Sequence, residues 1–347
     1  EMFNVHTASG TEMMQMTMAA VIPYRKRPKV LGVTVLTSLK DKDLDQIMGL
    51  AEAERSFFNR EHVVVTRAKD AQGYGLDGVV CSAKELRAVR KVCGWDFLTM
   101  VPGTRSPGAA AHDQKNIETP EYAIANGADY LVIGRQVTEA SDVLEELEKI
   151  KQEVWQGTKK RFAKDLRRVR AVDFDLVHGW KIKIHREFPN APRSPFYIDL
   201  RLLQSHPHLL DRAADIMAEH IRLSGFPFEL ICGVPSAATP LATCISQKMG
   251  IPMITPRMEE KLHGKENSID GVWQNGQWVL LIDDIRTTGG SKEEVIAFLK
   301  RMGLQVSGVC VLIDRGDGSD TVGGVPFTAV YKWVDVLAWY HADNIVT

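Results

Sequence analysis

The sequence predicts an α/β protein built as two successive units, each around a parallel sheet. Three observations carry this expectation. The chain has 347 residues, more than the roughly 100–200 of a typical domain, so two cores fit within it. Short apolar runs without polar alternation recur along it, the pattern of strands buried on both faces. Between those runs lie helix-like segments with recognisable starts. Apolar residues at 44% and charged residues at 25% are ordinary for folded globular chains, which excludes disorder, collagen-like repeats and coiled coil.

In the first half the β-rich runs are Val30 to Leu36, Gly78 to Cys81, Phe97 to Val101 and Tyr130 to Ile133. Ser82-Ala83-Lys84-Glu85 predicts a capping box after one strand, and Thr119-Pro120-Glu121 predicts an N-cap with Pro at the first helical position. Repeated strand-then-helix units of this kind form either a barrel or an open sheet. From Glu139 to Arg170 the composition shifts to Leu, Glu, Lys and Arg with a single Gly, Gly157, which predicts one or two helices joining the halves. The basic run Lys159 to Arg170 fits a solvated helix face better than a nucleic-acid arm. A second α/β pattern starts near Val172. Helices are predicted over Leu209 to Ser224, Pro240 to Met249 and Ser291 to Met302, with strands over Glu229 to Cys232, Trp278 to Ile282 and Gly308 to Ile313.

A formal charge of -1 supplies no field for wrapping nucleic acid or adhering to anionic membrane. Five widely spaced cysteines, Cys81, Cys93, Cys232, Cys244 and Cys310, indicate neither a disulfide framework nor a zinc knuckle and fit a reducing, cytoplasmic compartment. No apolar run approaches the roughly 18 residues of a membrane span, and no signal peptide is predicted.

The sharpest motif is Leu280-Leu281-Ile282-Asp283-Asp284-Ile285-Arg286-Thr287-Thr288-Gly289-Gly290-Ser291. It predicts a buried strand that ends in two carboxylates and passes through a Thr/Gly loop into a helix. Gly289 and Gly290 let backbone N–H groups converge on an anion, Thr287, Thr288 and Ser291 add hydroxyls, and the helix start adds a favourable dipole. Asp283 and Asp284 cannot hold phosphate, but they accept hydrogen bonds from ribose hydroxyls or hold Mg²⁺ through water. A sugar phosphate is the ligand this set describes.

The string resembles the phosphoribosyl-diphosphate signature of type I phosphoribosyltransferases, a fold with a parallel sheet and a hood. Ser194 to Arg201, Cys232 to Thr243, Arg257, Lys261, His263, Gly264 and Leu312-Ile313-Asp314-Arg315 are similar to orotate phosphoribosyltransferases. That resemblance implies orotate and phosphoribosyl diphosphate as substrates, with Mg²⁺ carried by the diphosphate rather than by protein ligands. It also implies that the Gly233 to Ala238 turn and the loop bearing Arg257, Lys261 and His263 meet diphosphate, that Arg315 meets the orotate carboxylate, and that the protein is a homodimer. Three departures stand out: Pro189 to Arg193 replaces a usual Lys-Ser-Gly, Met258 replaces a lysine, and Arg286 puts a charge in the phosphate loop.

In the first half, Met2 to His6, Val33 to Ser38, Gly78 to Ser82, Val101 to Arg105, Asp113 to Lys115 and Val132 to Arg135 resemble orotidine 5'-phosphate decarboxylases. The family implies a TIM (β/α)8 barrel, of which residues 1–138 would form about strands 4–8, followed by a helical linker over 139–171 and the transferase domain over 172–347. It implies that Gly134 and Arg135 hold the nucleotide phosphate with Arg105 and Pro102 nearby. Gln114 would bridge base and phosphate, and Thr37 and Ser38 would address the pyrimidine. The order of the two halves resembles the fused uridine monophosphate synthases of pyrimidine biosynthesis, with the decarboxylase first. The family's Asp-x-Lys-x-x-Asp string is absent, the nearest being Asp113-Gln114-Lys115-Asn116-Ile117-Glu118. With Glu1 rather than Met at the start, the expectation is a longer protein whose preceding segment carries that string. Two alternatives remain at this point: a non-catalytic sensor of phosphoribosyl diphosphate, and a first half that only dimerises or binds nucleotide.

Overall fold

The computed structural model describes residues 1–49, 59–109, 118–181, 190–257, 268–287, 289–316 and 318–343. The chain divides into two compact units, Glu1–Arg161 and Phe162–Thr347.

The first unit alternates strands and helices: β1 (Met2–His6), α1 (Thr11–Val21), β2 (Lys29–Val33), α2 (Asp41–Met48), α3 (Arg60–Gly73), β3 (Gly78–Val80), α4 (Leu86–Cys93), β4 (Leu98–Pro102), α5 (Pro120–Ala125), β5 (Tyr130–Val132) and α6 (Arg135–Thr138). The strands form one sheet in the order β1-β2-β3-β4-β5, every neighbouring pair parallel. Among the described residues this sheet is open, with β1 and β5 at its edges. Val30, Val79 and Val101 are fully buried, as the unalternated runs predict. Thr119 caps α5 by accepting from the Tyr122 N–H at 3.0 Å, with Pro120 at the first helical position. The Ser82 box differs from expectation. Glu85 does reach back to the Ser82 N–H at 2.9 Å, but α4 starts only at Leu86, because Ser82 to Glu85 close a turn first.

Arg90 on α4 is 4% exposed. It donates from Nε to Gly127 O at 3.0 Å, from Nη1 to Phe97 O at 2.6 Å, and from Nη2 to Thr99 Oγ1 at 2.8 Å and Asp129 Oδ2 at 2.6 Å. These acceptors flank the starts of β4 and β5, so one guanidinium pins the amino-terminal edge of the sheet.

The expected linker is largely one helix, α7 (Val143–Arg168), and the boundary between the units falls within it. Gly157 permits its close approach to α5: a Cβ there would lie 2.6 Å from Glu121 O. The basic run is engaged with acids rather than free. Lys160 pairs with Glu121, Arg161 with Asp129, Lys164 with Asp343, Arg167 with Asp173 and Arg168 with Asp165.

The second unit contains β6 (Val172–Phe174), β7 (Phe196–Ile198), α8 (Pro207–Ser224), β8 (Leu230–Gly233), α9 (Thr239–Met249), β9 (Met253–Pro256), β10 (Ile269–Asp270), β11 (Trp278–Arg286), α10 (Gly290–Arg301), β12 (Gln305–Asp314), β13 (Thr321–Val322), β14 (Val325–Lys332) and α11 (Trp333–Ala342). Its main sheet runs β10-β9-β8-β11-β12-β14-β13. The five inner strands are mutually parallel, and the two edge strands are antiparallel. β6 and β7 form a separate antiparallel pair, where Phe174 and Phe196 pack on Trp333. Leu280, Leu281 and Ile282 are fully buried at the centre. β11 runs four residues past its expected end, because pairing with β12 continues to Arg286 opposite Asp314. Arg286 therefore belongs to the strand and not to the phosphate loop.

All five thiols are free; Cys81, Cys93, Cys232 and Cys310 are buried and Cys244 half-buried, and burial pushes each of them up. Among the described residues no helix is long and apolar enough to cross a membrane.

Arg90→Met is expected to destabilise the first unit by about 1–3 kcal/mol, since buried carbonyls such as Phe97 O lose their donor while Asp129 keeps Arg161. Urea unfolding of the two proteins checks this, and equal midpoints would remove Arg90 from that role.

Candidate active site

Parallel pairing brings the carboxyl ends of β8, β11 and β12 to one edge. The Val234 N–H donates to Ile282 O at 2.9 Å, which seats the Gly233 to Ala238 turn beside the end of β11. On the other side, the Arg315 N–H donates to Arg286 O at 2.9 Å, which fixes Arg315 beside the same strand end. Asp283, Asp284, the turn and Arg315 are thus gathered by sheet register.

Gly289 has φ +90°, a left-handed conformation favourable only to glycine, and α10 begins immediately after it. The Lys292 and Glu293 N–H groups donate to Gly289 O at 2.9 and 3.2 Å, closing the first turn of α10. Thr287, Gly290 and Ser291 are exposed there, accessible to an anion.

The acidic pair is not symmetric. Asp283 is 4% exposed, and its Oδ2 lies 2.5 Å from the Lys292 Nζ, itself 2% exposed. Its Oδ1 accepts the Asp284 N–H at 2.9 Å. Asp284 is half-buried and accepts the Ile285 N–H at 2.7 Å. Burial first, and then the charge of Asp283, raise the Asp284 carboxyl to about 7. Lys292 was not a candidate from the sequence. A lone lysine one residue after Ser291 reads as helix surface, and only its helical position turns it inward.

Arg286 carries out a structural task. It is 3% exposed, donates to Asp314 through Nε and Nη2, each at 2.7 Å, and donates to Ser319 O at 2.9 Å. Burial alone would raise the Asp314 carboxyl, but this fork holds it below the usual range. Arg315 differs. Half-buried, its guanidinium lies 4.6 Å over the Phe196 ring and meets no acceptor among the described residues. Burial lowers its pKa from the ordinary arginine value, although it stays cationic.

Arg257 is turned elsewhere: its guanidinium clasps Asp270 across the β9–β10 pair, with Nε to Oδ2 at 2.8 Å. Arg193, which ends the segment standing in place of Lys-Ser-Gly, donates to His178 O at 3.3 Å. Met258, Lys261, His263 and Thr288 lie outside the described residues.

In the first unit the same parallel logic aligns the segments after β2, β4 and β5. Thr37 is buried and Ser38 exposed beyond β2; Pro102 ends β4, and Arg105 is 6% exposed with Nη1 donating to Thr104 O at 2.7 Å. Gly134 precedes α6 and Arg135 opens it. Gln136, which the sequence did not single out, joins these two loops. Its Nε2 donates to Ser106 Oγ at 2.6 Å and its Oε1 accepts the Ser106 N–H at 3.1 Å. A cleft of about 570 Å³ beside them is lined by Arg135, Gln136 and the start of α7. Gln114 lies outside the described residues.

Comparison with known proteins adds to this geometry. Residues 1–150 match the model of the orotidine 5'-phosphate decarboxylase / HUMPS family, and residues 201–328 that of the phosphoribosyl transferase domain. Two family models thus match successive stretches of one polypeptide. The chain is 44% identical over 142 residues to orotidine 5'-phosphate decarboxylase of Idiomarina loihiensis, covering 41% of this chain and 58% of that protein. The chain thus spans little more than half the length of that relative. Leishmania donovani UMP synthase is similar at 23% identity over 99% of this chain and 72% of its own, with a TM-score of 0.47. Orotate phosphoribosyltransferase from Aeropyrum pernix is similar at 27% identity over 52% of this chain and 98% of its own, with a TM-score of 0.43.

The raised carboxyl of Asp284 sets a pH dependence in the second unit. An unfolded aspartate releases its proton near pH 3.9, so from about pH 4 to 7 the folded chain holds a proton that the unfolded chain has lost. That stability is complete below pH 4 and disappears as pH rises through 7. Asp284→Asn is therefore expected to gain stability relative to the parent between about pH 5 and 8, read by urea unfolding at each pH. A difference independent of pH would mean that Asp284 titrates as an ordinary carboxylate.

Proposed function

We propose that the second unit transfers phosphoribose from phosphoribosyl diphosphate to orotate, giving orotidine 5'-phosphate and diphosphate. In this reading the chain is a UMP synthase-like fusion whose first unit binds the nucleotide product. The observation that carries it is the gathering at one sheet edge of an acid, a helix start with Thr287, Gly290 and Ser291 exposed, and an arginine that meets no acceptor among the described residues. In the reaction the bond from the anomeric carbon to diphosphate oxygen breaks, its electron pair leaving on diphosphate, as the bond to the orotate ring nitrogen forms and the proton on that nitrogen passes to diphosphate or water. Positive charge builds on the ribose, and the protein mainly positions the reactants and balances charge. Backbone N–H groups and hydroxyls of Thr287 to Ser291 hold the 5-phosphate, and the Gly233 to Ala238 turn offers N–H groups to diphosphate. Asp284 accepts from a ribose hydroxyl. Arg315, its back against Phe196, presents a fork to the orotate carboxylate.

Mg²⁺ carried by diphosphate would neutralise the leaving group. The residues present fit an ion held that way, with Asp284, half-buried at the end of β11, placed to reach it through water. Lys261 and His263 complete the proposed catalytic set from the loop after Arg257. In a homodimer that loop would serve the partner's site, and free, buried thiols support a cytoplasmic setting. In the first unit Gly134, Arg135 and Arg105 would hold the phosphate of orotidine 5'-phosphate, with Pro102, Gln114, Thr37 and Ser38 around the nucleotide.

Mixing the protein with orotate, phosphoribosyl diphosphate and Mg²⁺ is expected to consume orotate. Phosphoribosyl diphosphate binding without turnover would replace the enzyme by a sensor. Arg315→Ala is expected to raise the KM for orotate by about tenfold or more, the loss of a charged hydrogen-bonded fork, while leaving the KM for phosphoribosyl diphosphate close to the parent value. Equal effects on both substrates would remove Arg315 from base recognition. The chain itself is expected to release negligible carbon dioxide from orotidine 5'-phosphate, because Asp-x-Lys-x-x-Asp is absent from its residues. Robust release would place the proton chemistry on another group.

A further inference from the structure

Lys292 occupies an unusual place for a cation. It sits in the first turn of α10, directly after the phosphate-binding loop, yet it is 2% exposed and points back under that loop. Its Nζ lies 2.5 Å from Asp283 Oδ2 and donates to Ile285 O at 2.7 Å. One ammonium thus bridges the strand that enters the loop and the helix that leaves it. Burying such a charge is unfavourable unless it is paired and hydrogen-bonded, and here both conditions hold.

The pairing divides the acidic motif. Both oxygens of Asp283 are engaged, one by Lys292 and the other by the Asp284 N–H. A ribose hydroxyl could reach Asp283 only by displacing a buried ion pair. Asp284 is the more accessible of the two. We propose that Lys292 is a positioning residue of the phosphoribosyl-diphosphate site: it holds Asp283 away from the sugar, so that Asp284 alone meets the ribose hydroxyls and the loop is fixed before substrate arrives. This rests on the transferase reading of the second unit and assigns its two carboxylates different tasks.

Removing the ammonium has a specific consequence. The Asp283 carboxylate becomes an uncompensated negative charge beside a site that must accept a polyanion, and the entry of the loop loses its tie at Ile285 O. Binding of phosphoribosyl diphosphate then suffers more than binding of orotate, which approaches from the Arg315 side.

The test is steady-state kinetics on the whole chain with each substrate varied. Lys292→Met is expected to raise the KM for phosphoribosyl diphosphate by about tenfold, with the KM for orotate changed by less than about twofold. Combining it with Asp283→Asn removes the stranded charge and is expected to bring the KM to within about threefold of the parent. Uniform losses in kcat and in both KM values, or no recovery in the double variant, would overturn the proposal in favour of a purely structural ion pair. If Lys292→Met does not fold, Lys292→Arg takes its place. The longer side chain keeps the charge but displaces Asp283, so the same selective rise is expected and an unchanged KM overturns the proposal. Absence of turnover in the parent protein would instead defeat the transferase reading itself.

Discussion

Parallel pairing is the constraint on which both candidate sites depend. When neighbouring strands run the same way, the segments that follow them must emerge along one edge, however far apart they lie in sequence. In the second unit, β8, β11 and β12 deliver Gly233, Asp284 and Arg315 to the same line. In the first unit, β2, β4 and β5 do the same for Thr37, Arg105 and Arg135. Chemistry collects at the carboxyl edge while the amino edge is left to stability, the division known from barrel and open-sheet enzymes alike. Arg90 illustrates the second half of that division, since its acceptors flank strand starts.

Buried cations recur as the means of fixing these edges. Arg90, Arg286 and Lys292 are each no more than 4% exposed, and each binds a carboxylate together with backbone carbonyls. A carbonyl left without a donor is costly in a dry interior, whereas a cation with several donors satisfies a carboxylate and carbonyls at once. The result is a rigid frame around loops that must be ready for an anion. Arg315 stands apart because it has a ring to lie on and, among the described residues, no acid paired with it. A guanidinium in that situation is available to a ligand.

Much of this was legible in the residues. The unalternated run Leu280 to Ile282 pointed to a buried strand, and Gly289-Gly290 behind it to the start of a helix. Thr119-Pro120 announced a helix start through the local geometry of a single turn. What escaped depended on partners distant in sequence. Arg286 seemed to charge the loop because the apolar run ends at Ile282; only the Asp314 carboxylate, 28 residues on, explains why the strand continues. Lys292 and Arg90 carry no signal in the sequence, since one charged residue does not disclose which face it occupies. Arg257 met Asp270 for the same reason, through a strand pairing that periodicity cannot show.

The burial of the thiols has a practical meaning as well. Four of the five cysteines are sealed in the two cores, where a bulky alkylating reagent cannot reach sulfur without unfolding the chain. Cys244, half-buried on α9, is the one thiol a reagent meets in the native state. That helix follows directly from the Gly233 to Ala238 turn. A fluorophore attached there would sit one element away from the place where diphosphate is expected, on a protein that needs no cysteine removed to receive it.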